Sequence, residues 1–148
     1  MVESKIVVGV DGSQGSLAAV REALEEARLR HASLHLVMAW QLSYSEIAIQ
    51  SPAVVKRIVT HNEEILETAL DSIGHGRAAG VETSAELING HPATALLAAA
   101  SDAALLVVGT YGTSGLTGTL AGSVAHAVIH HATNPVLVVP QAKHRADA

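Results

Sequence analysis

Three short aliphatic runs constrain most strongly what this chain can fold into. They are Lys5–Val10, Ala103–Val108 and Pro135–Val139, and each consists almost wholly of Val, Leu, Ile and Ala. Continuous apolar runs of this length are typical of parallel strands that are buried on both faces. Phe and Cys are absent from the 148 residues. The predicted core is therefore aliphatic, and the chain has no disulfide, no thiolate metal site and no cysteine nucleophile.

Helical patterns alternate with the strands. Two further strands are predicted at Ser33–Trp40 and Val81–Leu87, and the polar alternation of the second favours a position near the sheet edge. The predicted helices cover residues 16–30, 52–74, 92–100 and 120–131. Ser16 is the predicted N-cap of the first helix. This alternation predicts an α/β fold: one domain over residues 1–148, with three α/β/α layers around a five-stranded parallel sheet and a frayed tail at 141–148.

Charge and hydropathy exclude several partners. The formal net charge is −5, and the aromatic residues are one Trp and two Tyr, so neither counterion release nor base stacking favours nucleic acid. No apolar stretch approaches the ~18 residues of a membrane span, and the N-terminal residues lack the pattern of a signal peptide. We therefore expect a cytoplasmic protein that binds neither nucleic acid nor membranes.

The segment Gly109–Ser123 follows the fourth predicted strand and opens the last helix. Its glycines permit close approach of a ligand, while successive amides and a helix N-terminus attract anions. The spacing matches neither the P-loop nor G-x-G-x-x-G. No Lys or Arg occurs from Ala78 to Ala142, so amides, hydroxyls, the helix dipole or a metal ion must hold the anion. With the Asp11–Ser13 turn at the same expected sheet edge, the segment predicts a phosphate site.

The arrangement Gly109-x2-Gly112-x9-Gly122-Ser123 resembles the ATP-binding motif of the universal stress protein family. Val7–Ser13 resembles the first strand and Asp-Gly-Ser turn of that family. Ser101–Gly109 resembles its fourth strand, and Ser123–Val139 its closing helix and strand. The resemblance implies strand order 3-2-1-4-5, as in adenine nucleotide alpha hydrolase-like folds. It also implies a homodimer that pairs the last strands, Pro135–Val139, whose apolar edge would otherwise need cover.

The resemblance also implies a site for ATP or another adenine nucleotide. A divalent cation such as Mg²⁺, bridging the phosphates, could compensate for the lack of Lys and Arg. Implied contacts to the adenine or ribose come from Val10, Asp11, Ala39, Val108 and Gly109. Implied contacts to the phosphates come from Gly112, Gly122, Ser123 and Val124. Where many family members carry Arg or His between the first two motif glycines, this chain has Thr110-Tyr111. This departure keeps AMP and cyclic AMP as alternative ligands.

The implied function is a nucleotide-binding protein of stress response or signalling that acts through ligand-dependent conformation or partner contacts. One alternative is an interaction protein of the same fold that binds no nucleotide and docks partners through Gln41–Gln50. Another alternative is a slow ATPase. No G-x-S-x-G elbow or obvious Ser, Asp, His order occurs, which argues against faster turnover. Asp11 has a second interpretation as an ordinary turn residue.

Neither the histidines nor the acidic clusters predict a metal site from the sequence alone. His126 and His130 share a helix face, but no third ligand accompanies them. Glu63, Glu64 and Glu67 are interpreted as a solvated helix face, and His75 as a solvated residue near a helix end.

Overall fold

The computed structural model describes residues 4–42, 51–110 and 122–141. Its strands are β1 (Lys5–Gly9), β2 (Ser33–Trp40), β3 (Thr83–Asn89), β4 (Leu105–Gly109) and β5 (Val136–Val139). Its helices are α1 (Gln14–Arg30), α2 (Pro52–Ser72), α3 (Pro92–Ala99) and α4 (Ser123–His131), and a short 3₁₀ turn covers Gly74–Gly76. All five strands are parallel, in the order β3-β2-β1-β4-β5. The predicted α/β class and strand order are confirmed.

Strand β1 occupies the centre of the sheet. Val7 pairs with His35 of β2 on one side and with Leu106 of β4 on the other. Ile6, Val7 and Val8 are all completely buried. Side chains alternate along the strand, so Ile6 and Val8 pack beneath α1 and α2, while Val7 packs beneath α3 and α4. Both faces of the sheet are thus covered by helices.

Small residues bring α1 close to the sheet. Ala19, Ala23 and Ala27 recur at helical spacing, and each is completely buried.

Asn134 links the connection from α4 to β5 with the connection from α3 to β4. Its Nδ2 donates to the carbonyl oxygens of Ala100 (2.5 Å) and Ala103 (2.8 Å). Among the described residues, no helix is long and apolar enough to cross a membrane.

The start of α1 differs from the prediction. Ser13 is the N-cap, and its Oγ accepts a hydrogen bond from the amide of Ser16 at 3.1 Å. Ser16 is buried in the first turn, where its Oγ donates to the carbonyl oxygen of Ser13 at 3.0 Å. The prediction that Ser16 caps the helix is therefore wrong. The physical reason is that Ser13 and Ser16 are equally good capping types, and the Asp11–Ser13 turn decides between them.

The other bounds agree closely with the sequence. Every strand begins and ends within two residues of its predicted position, and β3 lies at the sheet edge as its polar alternation indicated. Residues 43–50, most of the predicted docking segment, lie outside the described residues, as do residues 142–148 of the predicted tail. That residues 1–148 form one domain stays a prediction.

Two glycines in the connection from α2 to β3 provide a matched stability test. Both have a positive φ, +72° at Gly76 and +69° at Gly80. A Cβ at Gly76 would lie 2.6 Å from the carbonyl oxygen of Val81, whereas a Cβ at Gly80 meets nothing within 4 Å. We expect Gly76→Ala to lower the free energy of unfolding by about 1–3 kcal/mol more than Gly80→Ala, because only the former adds a backbone clash. Urea denaturation followed by circular dichroism measures both; equal losses would contradict this packing.

Candidate functional site

A cavity of about 300 Å³ opens at the carboxyl edge of the sheet, between the ends of β1, β2 and β4 and the first turn of α4. Eight of the nine predicted site residues line it: Val10, Asp11, Ala39, Val108, Gly109, Gly122, Ser123 and Val124. The ninth, Gly112, lies outside the described residues. The fold thus brings together residues from four separate parts of the chain, in a cavity at the lower end of the size range of ligand sites. Their contacts to a ligand stay predictions.

The cavity is lined by both apolar and polar residues. The apolar ones include Val37, Met38 and Ala39 of β2 and Leu96 of α3. The polar ones include Asp11, Ser16, Thr110 and Ser123. Among the described lining residues Asp11 is the only charged one, and none is Lys, Arg or His. Any anion held here must rely on backbone amides, hydroxyl groups and the α4 dipole, or on a bound cation.

Asp11 shapes the turn between β1 and α1. Its Oδ1 accepts hydrogen bonds from the amide of Ser13 at 2.9 Å and from the Ser13 hydroxyl at 2.5 Å. The amide of Asp11 in turn donates to Ser16 Oγ at 3.3 Å. Gly12 completes the turn with φ +87°. The interpretation of Asp11 as a turn residue is therefore correct, and its position on the cavity wall leaves ligand contact compatible with that role.

Gly109 permits a close approach that the sequence did not reveal. A Cβ at this position would lie 2.9 Å from the carbonyl oxygen of Gly15 in the first turn of α1. A real Cβ essentially never makes so short a contact with backbone, so any larger residue would push β4 and α1 apart. The glycine that the motif assigns to the ligand thus also has a packing role.

Thr110 and Gly122 flank the undescribed segment 111–121. The amide of Gly122 donates to the carbonyl oxygen of Thr110, which brings the two ends of the segment together at the cavity. Thr110 is itself held by β5, because its amide donates to the carbonyl oxygen of Val139 at 3.1 Å. Its Oγ1 also accepts from the amide of Gln141 at 3.2 Å. Thr110 is thus anchored to β5, and Gly122 is anchored to Thr110.

Gly122 is the N-cap of α4 and brings no capping side chain. The first-turn residues Ser123 and Val124 lie on the cavity wall. An uncapped helix start beside a cavity is a favourable place for an anion, because its amides point outward and the dipole is positive there.

Several lining residues were not anticipated, among them Pro92 and Leu96 of α3. The sequence did contain a signal for Pro92. The connection from a parallel strand to the following helix lies at the carboxyl edge of the sheet, and Pro92 begins the helix that follows β3. Leu96 follows one turn later on the same helix face. His91, which directly precedes Pro92, is exposed at the N-cap of α3 and is not among the lining residues.

Other titratable groups cluster away from the cavity. The rings of His126 and His130 lie 4.6 Å apart on α4, as their spacing predicted. Within the described ranges, only Glu67, Asp71 and His75 bring three potential metal-ligating side chains together.

Comparison with known proteins places this chain among relatives of similar fold. Residues 4–140 match the universal stress protein family. A universal stress protein of Mycobacterium tuberculosis is 35% identical over 92% of this chain, which spans about half the length of the curated relatives it matches, 45% in this case.

Two solved structures are also similar. A universal stress protein in complex with cAMP is 32% identical, with a TM-score of 0.67 over 96% of this chain and 100% of that one. The universal stress protein of Archaeoglobus fulgidus in complex with dAMP is 26% identical, with a TM-score of 0.70 over 94% of this chain and 99% of that one. With a family match over residues 4–140 and the predicted strand order in place, the chain belongs to the universal stress protein family.

Proposed function

We propose that this protein binds an adenine nucleotide in the cavity between β1, β2, β4 and α4. The observation that carries the proposal is the convergence of eight motif-derived residues on the wall of one cavity of ligand size. Two similar structures, in complex with cAMP and with dAMP, support the same ligand class. In this proposal, nucleotide binding alters conformation or partner contacts in a stress or signalling response.

The apolar and polar residues of the lining suit different parts of a nucleotide. The apolar residues, Ala39 and Val108 among them, suit the faces of a purine. Asp11 lies where a carboxylate oxygen can accept a hydrogen bond from a ribose hydroxyl. The first turn of α4, with Ser123 and Val124, matches the phosphates, because its amides and dipole favour negative charge.

The absence of Lys and Arg from the described lining bears on the number of phosphates. ATP is the ligand that the family motif favours, and we propose that it binds with Mg²⁺, which neutralises charge that this lining cannot. AMP and cyclic AMP form the second candidate ligand class, because each has less charge to neutralise. Isothermal titration with and without Mg²⁺ separates the two, since only the affinity for ATP should depend strongly on the metal ion.

Substitution at the start of α4 tests the location of the site. We expect Gly122→Val with Ser123→Ala to weaken nucleotide binding by at least about tenfold, because a branched side chain would stand at the helix start where phosphate contacts are proposed. The measurement is isothermal titration with ATP–Mg²⁺, AMP and cyclic AMP.

Gly90→Val is the matched control for this variant. Gly90 follows β3 at the same sheet edge and does not line the cavity, and a Cβ added to it would meet nothing within 4 Å. This control should bind as the wild type does. Unchanged affinity in the Gly122/Ser123 variant would place the site elsewhere, and a wild-type protein that binds none of the three nucleotides would refute the proposed function.

We further propose that β5 forms a homodimer by pairing with β5 of a second copy. In the described sheet β5 is an edge strand with β4 as its neighbour. The carbonyl oxygens of Pro135 and Val139 accept hydrogen bonds from the β4 side. Because backbone groups alternate along a strand, the amides and carbonyls of Val136 and Val138 point away from β4. They form a row of polar groups that can pair with a second strand.

A proline on this edge tests the dimer. Val138→Pro removes an outward amide while sparing the bonds to β4, so we expect the dimer to dissociate and the monomer to stay folded. Ala85→Pro is the matched control, because Ala85 is an exposed outward position on β3, the opposite edge strand. Sedimentation equilibrium measures the mass, and circular dichroism checks folding. A wild-type monomer, or a dimer that survives Val138→Pro, would count against β5 pairing.

A further inference from the structure

Three metal-ligating side chains meet at the end of α2, away from the nucleotide cavity. The Nε2 of His75 lies 2.9 Å from Asp71 Oδ1 and 3.4 Å from Glu67 Oε1. All three ligand atoms lie within 4.8 Å of one another. Because α2 ends where the chain turns into β3, this cluster lies at the amino edge of the sheet, whereas the cavity lies at the carboxyl edge.

The two distances from His75 Nε2 are compatible with ligands around one metal ion. Bonds of about 2.0–2.2 Å from Zn²⁺ to imidazole nitrogen or carboxylate oxygen, at tetrahedral to octahedral angles, separate neighbouring ligand atoms by about 2.9–3.5 Å. The two distances from His75 Nε2, 2.9 and 3.4 Å, fall within that interval. Glu67 is exposed, so its side chain is free of core packing that would fix its rotamer.

The backbone holds His75 in place independently of its side-chain contacts. Its φ of 55° is left-handed, and it lies between Gly74 at 55° and Gly76 at 72°. The carbonyl oxygen of His75 accepts a hydrogen bond from Thr83 Oγ1 at 3.0 Å, and the amide of Gly76 donates to the carbonyl oxygen of Ile73 at 3.0 Å. The turn thus presents the imidazole to α2 in a largely fixed position, which lowers the entropic cost of closing a ligand set.

The electrostatic setting favours a cation. Several acidic side chains elsewhere in the described structure pair with Lys or Arg, as Asp102 does with Lys5 at 2.9 Å. The ion pairs of Glu67 and Asp71 within the described residues are with His75 alone, and the last turn of α2 has no basic residue. Carboxylates at the C-terminal end of a helix face the negative pole of its dipole, so a bound cation would relieve their repulsion.

We propose that Glu67, Asp71 and His75 bind a divalent first-row transition-metal ion such as Zn²⁺. One imidazole nitrogen and two carboxylate oxygens suit Zn²⁺, Ni²⁺ or Cu²⁺, whereas Mg²⁺ and Ca²⁺ prefer oxygen ligands alone. The exposure of the cluster leaves the remaining coordination positions to water. Glu67 is exposed, in agreement with its interpretation as part of a solvated helix face, and the proposal adds a metal-binding role for Glu67 and His75.

Titration of the full-length protein with ZnCl₂, in the absence of nucleotide, tests the site. His75→Asn removes the imidazole but tolerates the left-handed backbone. Glu67→Gln, on the exposed face of α2, is a second variant that leaves the turn intact. Loss of even an outer-sphere partner costs metal affinity about 10–100-fold, so each variant should weaken one Zn²⁺ site by at least about tenfold.

The chain has nine histidines, so a control must separate rival sites. The matched control is His126→Asn with His130→Asn, which removes two histidines with neighbouring rings on α4 and should leave the proposed site unchanged. Zn²⁺ should raise the melting temperature of the wild type and of this control, but much less that of His75→Asn.

Two results would overturn the proposal. One is a wild-type protein without saturable Zn²⁺ binding. The other is Zn²⁺ affinity that survives both His75→Asn and Glu67→Gln but disappears in the His126/His130 control. Circular dichroism of each apo variant establishes that it is folded before titration. Because nucleotide is absent throughout, failure of this site would leave the proposed nucleotide function untouched.

Discussion

Burial of β1 on both faces is the constraint on which the rest of the structure depends. Ile6 and Val8 need α1 and α2 on one side of the sheet, and Val7 needs α3 and α4 on the other. Helices cover both faces because the chain adds strands on both sides of β1, so β2 and β4 flank it. The connections that follow β1 and β4 therefore diverge to opposite faces, and a crevice opens between them at the carboxyl edge. The cavity is a consequence of how the core is covered.

An aliphatic core without Phe can be dense only if the backbone elements approach one another closely. Alanines on α1 meet this need beneath one face, and Gly109 against Gly15 meets it where β4 ends. Gly109 also lines the cavity, as do Gly122 and Ser123 at the start of α4. Packing and the proposed ligand binding thus make compatible demands on Gly109, and packing alone already requires a residue without a Cβ there.

The strands were predictable because a strand buried on both faces requires consecutive apolar residues. Such runs occur at Ile6–Val8 and Leu105–Val108. The order of the strands followed from a resemblance to a family rather than from any local pattern. Most predicted site residues met at one cavity because their motifs lie at strand ends, which share an edge. Leu96 escaped prediction because its place depends on how α3 docks, and the approach of His75 to Glu67 depends on the left-handed turn after α2. Such relations are tertiary and leave little local trace in the sequence.

The hydrogen bonds among Asp11, Ser13 and Ser16 serve three structural roles. They shape the turn after β1, start α1 and form part of the cavity wall. Substitutions at these three positions should consequently be non-additive, since the first change already breaks the network that the second would disturb. A loss of ligand affinity after replacement of Asp11 would therefore combine a lost contact with a displaced helix start. In energetic terms these residues behave as one unit, and their contributions can be separated only by mutating them in combination.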